Sequence, residues 1–432
     1  MLPELRTSLL ALSALALFSG SAIAQEEEDL PTWPLSEDNG FNFDLLIPMG
    51  MAIYGGSDIA PMLRAAKMLE PGNFEVFTEV LYALANETKA AANDPRNAYD
   101  ALNVQETNFH AAQYFRRTDN YLHDDWNDPL IYTLWDEQKA CFDKAIATLP
   151  IPGKRIQVEA DNFTVEAIWY AASAEKGAHN PTFIFVPGYD GAQEDAYHTL
   201  VVPALARGWN VLTSEGPGQP TVRRDQDIGF IHDWERVMTP LVDYLLTNQS
   251  DAVDEKRLAI YGMSFGGYLA ARAAAFEPRL SAALLNGGIM DTHAAFVGQF
   301  PPEWRALYNA KNKTGFDAVT QAALLDHETP SSLRWGMYQG LWAFKMASPY
   351  DWLEEVRQYS LKDVINQIKV PVWIANPDRE QFFAGQPKQV ADALGDLAYL
   401  HNFTGAAGYH CESGAYAELT RGVFAFLHEA LG

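Results

Sequence analysis

From residue 154 onward, short apolar runs alternate with stretches in which apolar residues recur every three or four positions. "PTFIFVPG" is a brief apolar run closed by Pro-Gly, the pattern of a strand buried on both faces. "WNVLTSEGPG", "RLAIYGMS", "LSAALLNGG", "VPVWIANP" and "AYLHNF" repeat it, and "DAYHTLVVPALARG" and "WERVMTPLVDYLLTN" carry helical spacing between them. Strands alternating with helices predict an α/β fold: a mostly parallel sheet with helices on both faces. Just ahead of it, "KRIQVEADNFTVEAIWYAA" reads as a two-stranded hairpin.

The remainder of the chain has a different texture. Residues 41 to about 150 show helical spacing only, as in "SDIAPMLRAAKMLE" and "NFEVFTEVLYALANETKAAA", with Asp58 and Asn73 placed as N-caps. The spacing therefore predicts a helical cap over residues 25–152 ahead of an α/β domain over residues 153–432. Residues 289 to 365, rich in Trp, Phe, Tyr and Met, interrupt the alternation between two strands. An insertion of that length must form its own helices, and its place in the order puts it over the carboxyl ends of the strands as a lid.

The N-terminus begins with Arg6, an apolar run from Leu9 to Phe18 and then Ala22-Ile23-Ala24. This three-part pattern predicts a signal peptide over residues 1–24, too short for a membrane anchor, and hence a secreted or secretory-lumen protein. Five Asn-x-Ser/Thr triplets, at Asn86, Asn162, Asn248, Asn312 and Asn402, fit that route in a eukaryotic host, where they would make it a glycoprotein. Composition narrows the partners. With 56 acidic against 31 basic side chains the net charge is −25, so nucleic acid and anionic lipid would be repelled, and a small neutral or aromatic molecule is the compatible class. Two cysteines, Cys141 and Cys411, exclude a disulfide scaffold or a four-cysteine metal site and read as separate buried thiols.

Candidate chemistry centres on "IYGMSFGGYLA", where Gly262-Met263-Ser264-Phe265-Gly266 lies directly between a strand and a helix. A serine hydroxyl becomes a useful nucleophile when a sharp turn projects it toward a base, and the flanking glycines remove the Cβ atoms that would clash in such a turn. The five-residue pattern is common by chance, and its strand–turn–helix setting is what gives it weight. The base expected with it is a histidine on a loop after the last strand, and of ten histidines His410 in "FTGAAGYHCESGAY" occupies that place. His401 falls within the strand and His428 within the terminal helix.

The acid must lie between the two, after the preceding strand, where "VPVWIANPDREQFFAGQP" offers Asp378 and Glu380. Glu380 is preferred because the apolar pair Phe382-Phe383 follows it as the chain turns back to the core, with Asp378 as the alternative. An oxyanion site needs the amide of the residue after the nucleophile, Phe265, and a second from the loop "FVPGYDGAQED". Tyr189, after the flexible Gly188, is the first choice there, and Asp190 or Gly191 would serve in a longer loop. "SEGPGQP" lacks the third glycine of a nucleotide fingerprint, and no metalloprotease helix, phosphate loop or calcium loop occurs, so neither a cofactor nor a metal is expected.

Taken together, "YGGSDIAPML", "EPGNFEVF", "EGPGQP", "DWERVMTPLVDYL", "GMSFGGYLAARAAAFEPRL", "EQFFAGQP" and "GAAGYHCESGAY" resemble the α/β-hydrolase superfamily over nearly the whole mature chain. More narrowly they are similar to the branch of 2,6-dihydroxypseudooxynicotine hydrolase and the fungal pigment enzymes that shorten a polyketide. The resemblance implies an α/β-hydrolase fold with an N-terminal helical cap and a Ser-acid-His triad, with Ser264 and His410 carried over by motif position. Many members have aspartate where this chain has Glu380, and the members of the branch are intracellular where this chain carries a leader. For activity the resemblance implies a serine hydrolase acting on an ester or on a carbon–carbon bond of a β-dicarbonyl compound, and in members that pair through the cap, a homodimer. The same triad would serve an acyltransferase or cyclase, and a non-catalytic binding protein on this fold is the rival from another class.

Overall fold

The structure is a computed structural model in which residues 32–432 are described; the expected signal peptide lies outside them. Met1–Pro34 and Leu35–Gly432 are separate units, and the fold below is that of Leu35–Gly432.

Five helices come first: α1 (Asn39–Met51), α2 (Ile59–Ala66), α3 (Phe74–Ala92), α4 (Ala101–Thr118) and α5 (Leu130–Ala147). Asn73 caps α3, its side chain accepting the Val76 N–H at 3.2 Å. Asp58 stands at the start of α2 but makes no side-chain cap; its own N–H donates to the Tyr114 hydroxyl at 2.9 Å. Phe41 of α1 packs its ring 4.8 Å from Phe77 and 5.1 Å from Tyr121, tying the first helix to α3 and to the turn after α4.

The sheet follows in the order β1 (Lys154–Glu159), β2 (Thr164–Tyr170), β3 (Asn180–Val186), α6 (Val201–Leu205), β4 (Asn210–Glu215), α7 (Pro220–Asp225), α8 (Glu235–Asn248), β5 (Val253–Met263), α9 (Gly266–Phe276) and β6 (Ala282–Asn286). Five helices then intervene, α10 (Thr292–Gly298), α11 (Pro302–Asn309), α12 (Lys313–Leu324), α13 (Ser331–Ala343) and α14 (Pro349–Val356), before β7 (Val372–Pro377), α15 (Gln386–Leu394), β8 (Ala398–Phe403) and α16 (Tyr416–Leu431). The eight strands lie in the order β1-β2-β4-β3-β5-β6-β7-β8. β1 and β2 form an antiparallel hairpin, β2 meets β4 antiparallel, and every later pair is parallel.

Alternation along each strand feeds two cores. Ile184, Leu212, Ile260, Leu285 and Ile374 face one that includes α8, α9 and the inserted helices. Phe183, Phe185, Val211, Tyr261 and Trp373 face the other, with α16 and much of the helical cap. Both faces are covered, so β4 and β6 are buried at every position, and their polar residues such as Asn210, Glu215 and Asn286 are hydrogen-bonded within the protein.

One stretch departs from its pattern. "DAYHTLVVPALARG" forms a 3₁₀ turn over Asp195–His198 and then only the short α6, because Asp195 and Glu194 are pinned by ion pairs to Arg117 at 2.9 Å and Arg155 at 2.7 Å. Cys141 and Cys411 are both buried free thiols.

Candidate active site

Ser264 sits where β5 passes into α9 and holds a left-handed backbone, φ 58°, which a non-glycine residue adopts only under constraint. Its carbonyl accepts the Gly267 N–H at 2.8 Å and its own N–H donates to the Asn286 carbonyl at 2.5 Å, closing the turn. The approach is too close for side chains on the flanking positions. A Cβ on Gly262 would lie 2.0 Å from the Gly266 carbonyl oxygen, and one on Gly266 would lie 2.3 Å from the Val186 carbonyl oxygen.

The chain between β8 and α16 carries His410 to this turn. Its Nε2 is 2.8 Å from Ser264 Oγ, and its Nδ1 is 2.8 Å from the Glu380 carboxylate. Both side chains of the ion pair are buried, at 5% and 6% exposure. Glu380 follows β7, and its Oε1 accepts the Phe382 and Phe383 amides at 2.9 and 3.1 Å. Burial alone would raise the Glu380 carboxyl; the opposing imidazole charge, the His410 hydrogen bond and the two amides outweigh it and hold the group below its ordinary value. The glutamate is thus ionised at neutral pH and able to fix the imidazole with Nδ1 as donor.

Asp378 lies elsewhere. It is exposed, its N–H donates to the Phe403 carbonyl at 3.0 Å, and its carboxylate packs beside Gly408. Of the two acids considered from the sequence, the structure brings Glu380 and not Asp378 to the imidazole.

The loop after β3 crosses the nucleophile: a Cβ on Gly188 would come within 2.8 Å of Ser264 Cβ and 3.2 Å of its Oγ. Among the described residues, the amides of Phe265 and Tyr189 have no acceptor in the protein, although Phe265 is fully buried and Tyr189 nearly so. A buried N–H left unpaired is rare in folded proteins, which keeps both amides as candidate donors to an anionic oxygen. In the same loop, Arg116 Nη2 donates to the Asp190 carbonyl and carboxylate at 2.6 and 3.1 Å, contacts that leave the Asp190 amide itself unengaged.

Several aromatic residues pack around the site, and of these Phe43 carries no local signal in the sequence. Phe43 of α1 sets its ring 6.3 Å from that of His410 and 5.7 Å from Phe382, while Phe382 lies 4.9 Å from His410. Trp335 and Phe296 approach the Tyr189 ring at 6.3 and 5.9 Å. Of the aromatics in "RWGMYQGLWAFKM", Trp335 faces this loop, whereas Trp342 turns away to pack on Arg224 at 4.7 Å. Directly after His410, Cys411 and Glu412 are both left-handed, φ 54° and 50°, and the Cys411 Sγ stands 3.4 Å from His410 Nε2. Burial pushes the Cys411 thiol well above its ordinary value, so it is a neutral neighbour of the imidazole.

Strand order, cap, lid and the serine turn together define an α/β-hydrolase fold, and a model of the prolyl oligopeptidase family matches residues 238–335, which contain Ser264. Over most of its length the chain is similar to the hydrolase LUC6 of a Fusarium species, 26% identical over 409 residues that cover 91% of this chain and 96% of that protein. It is also similar to the 20-hydroxy-prefusarin hydrolase FUS2 of Gibberella moniliformis, 26% identical over 355 residues covering 79% and 83% of the two chains. Among solved structures it is similar to 2,6-dihydroxy-pseudo-oxynicotine hydrolase, with a TM-score of 0.64 and 20% identity, covering 88% of this chain and 95% of that one. That likeness extends through the helical cap as well as the sheet.

Proposed function

We propose that the protein is a serine hydrolase that cleaves an ester or a β-dicarbonyl carbon–carbon bond in a small aromatic or polyketide-like molecule. The observation that carries this reading is the unbroken hydrogen-bonded chain from Ser264 Oγ through His410 to Glu380. In the first half-reaction Ser264 Oγ attacks a carbonyl carbon, its proton passes to His410 Nε2, and the oxygen gains negative charge opposite the Phe265 and Tyr189 amides. The imidazolium, stabilised by Glu380, then returns that proton to the leaving group, an alkoxide oxygen for an ester or an enolate carbon for a dicarbonyl. Water attacks the resulting acyl-serine with His410 again as base, releasing the acid and restoring the hydroxyl. Removing one oxyanion donor typically raises the barrier by about 3 to 4 kcal/mol, so the turn and loop count for as much as the side chains. The similarity to fungal hydrolases, one of them named for a prefusarin substrate, supports the polyketide-like class, and the rings of Phe43 and Phe382 beside His410, with Trp335 against Phe382, support an aromatic or flat substrate.

Turnover of a panel of methyl esters, aryl esters and β-diketones by wild type and Ser264→Ala tests this. The variant should lose roughly 10⁴-fold or more in kcat while remaining folded. Full activity in Ser264→Ala would refute the assignment, and isotopically labelled water identifies hydrolysis by incorporation of label into the acid product.

A further inference from the structure

Tyr189 is held in place from outside the sheet. Its hydroxyl donates to the Gly336 carbonyl at 2.8 Å, and its carbonyl accepts from Gln339 Nε2 at 3.1 Å. Gly340 leaves room for the phenol: a Cβ there would stand 2.0 Å from the Tyr189 hydroxyl and 2.6 Å from the Trp352 ring. Residues 336, 339 and 340 are spaced by three and four, so they share one face of α13, and that face is shaped around this tyrosine. Gln339 is 2% exposed. It grips the carbonyl of the residue that follows Gly188, which packs on Ser264, and whose own N–H has no acceptor among the described residues. From the other side, Arg116 of α4, also 2% exposed, holds the next carbonyl at 2.6 Å.

These contacts share a geometric consequence. The loop Gly188–Gly191 hangs between β3 and a 3₁₀ turn, with no ladder of its own to set the peptide planes around residue 189. Rotation of the 188–189 peptide would redirect the unpaired Tyr189 N–H, and the flanking anchors oppose that rotation. We infer that Gln339, on the inserted helix α13, is a positioning residue that orients the oxyanion-binding amide of Tyr189, an inference that rests on the hydrolase reading above. The lid thereby completes the catalytic machinery in addition to covering it. Gln339 touches neither substrate nor reacting atoms; it acts through the loop.

The probe is 4-nitrophenyl butyrate, with Ser264→Ala assayed alongside. Gln339→Leu removes the donor, and the near-isosteric Gln339→Glu places a carboxylate against the Tyr189 carbonyl. A misdirected catalytic group about 1 Å from its proper place can lose on the order of 100-fold, so kcat should fall about 10- to 100-fold in either folded variant with KM within about twofold. Phenylboronic acid supplies a second readout. Boron accepts the Ser264 Oγ, the serine proton moves to His410, and the tetrahedral adduct puts an anionic oxygen in the amide site; its affinity should weaken by the same factor as kcat. Unchanged kcat, or a loss carried wholly by KM with boronate affinity intact, overturns the inference. Should Gln339→Leu fail to fold, Gln339→Glu decides alone. If Ser264→Ala hydrolyses the ester as well as wild type, the hydrolase reading fails and this inference with it; if Ser264→Ala is inactive and both Gln339 variants keep wild-type kcat, only the positioning role falls.

Discussion

Asp44, on the inner face of α1, gives a test of the cap with a defined sign. Its carboxylate is 8% exposed and accepts hydrogen bonds from the Tyr121 hydroxyl and from Asn120 Nδ2, the latter at 3.1 Å. Burial pushes its carboxyl up from 3.8 to about 7, Asp190 and Asp38 add to the rise, and Tyr121 and Arg117 counter it. The folded protein thus keeps a proton on Asp44 between about pH 4 and 7 where the unfolded chain has released it, so stability falls as pH rises through that window and levels off above it. From 3.8 to about 7 at about 1.4 kcal/mol per pH unit, the ionised group destabilises the fold by up to about 4 kcal/mol at pH 8. Asp44→Asn retains an acceptor for Tyr121 and cannot ionise. Its stability relative to wild type should widen by about 2 kcal/mol between pH 5 and pH 7, which for a chain of this length is a Tm difference of about 3 °C. Glu215, also raised to about 7 by burial, keeps part of the slope in both proteins and cancels in the comparison. Thermal unfolding of the pair at pH 5, 6, 7 and 8 measures it. A difference that does not change with pH, or an Asp44→Asn variant less stable than wild type at pH 8, would show that the carboxyl is not a buried neutral acid.

Two further outcomes are expected. Glu380→Gln should lower kcat by about 10⁴-fold while Asp378→Asn stays within about twofold, because only the former touches the imidazole; steady-state kinetics of both with one ester settles which acid serves. Arg224 is clamped between Trp135 and Trp342 at 4.1 and 4.7 Å and donates to both Asp119 oxygens at 2.7 Å, so Arg224→Met should destabilise by about 3 to 5 kcal/mol in denaturant unfolding, and adding Asp119→Leu should recover most of that loss. No recovery in the double variant would mean that the ring contacts, rather than the stranded carboxylate, dominate.

Much of the sheet was legible because strands buried on both faces are mostly apolar: the runs Phe183–Val186 in β3 and Ala282–Leu285 in β6 stand out in the sequence and are buried as expected. The Ser264 turn was legible from its glycines, whose missing Cβ atoms the backbone crossing requires. The order of elements was enough to pick His410 out of ten histidines as the candidate. The preference for Glu380 rested on Phe382 and Phe383 turning inward, and the structure adds that their amides hold its carboxylate. What escaped reading were partnerships across the chain. Nothing local marks Phe43 as a neighbour of His410, or Gln339 and Arg116 as anchors of the loop after β3, since each is selected by packing between elements far apart in sequence. The short α6 escaped for a related reason: buried ion pairs at Glu194 and Asp195 overrode a helical pattern.

The division of labour around the imidazole also bears on how such a protein can change its diet. Phe43 and Phe296 come from helices that contribute no side chain to the Ser264–His410–Glu380 chain, so their replacement changes the rings around His410 and Tyr189 while that chain keeps its hydrogen bonds. Gly340 offers no such latitude, because any added bulk there collides with the Tyr189 phenol it shelters. Under the proposed function, libraries built for altered selectivity should therefore start at Phe43 and Phe296 rather than at Gly340.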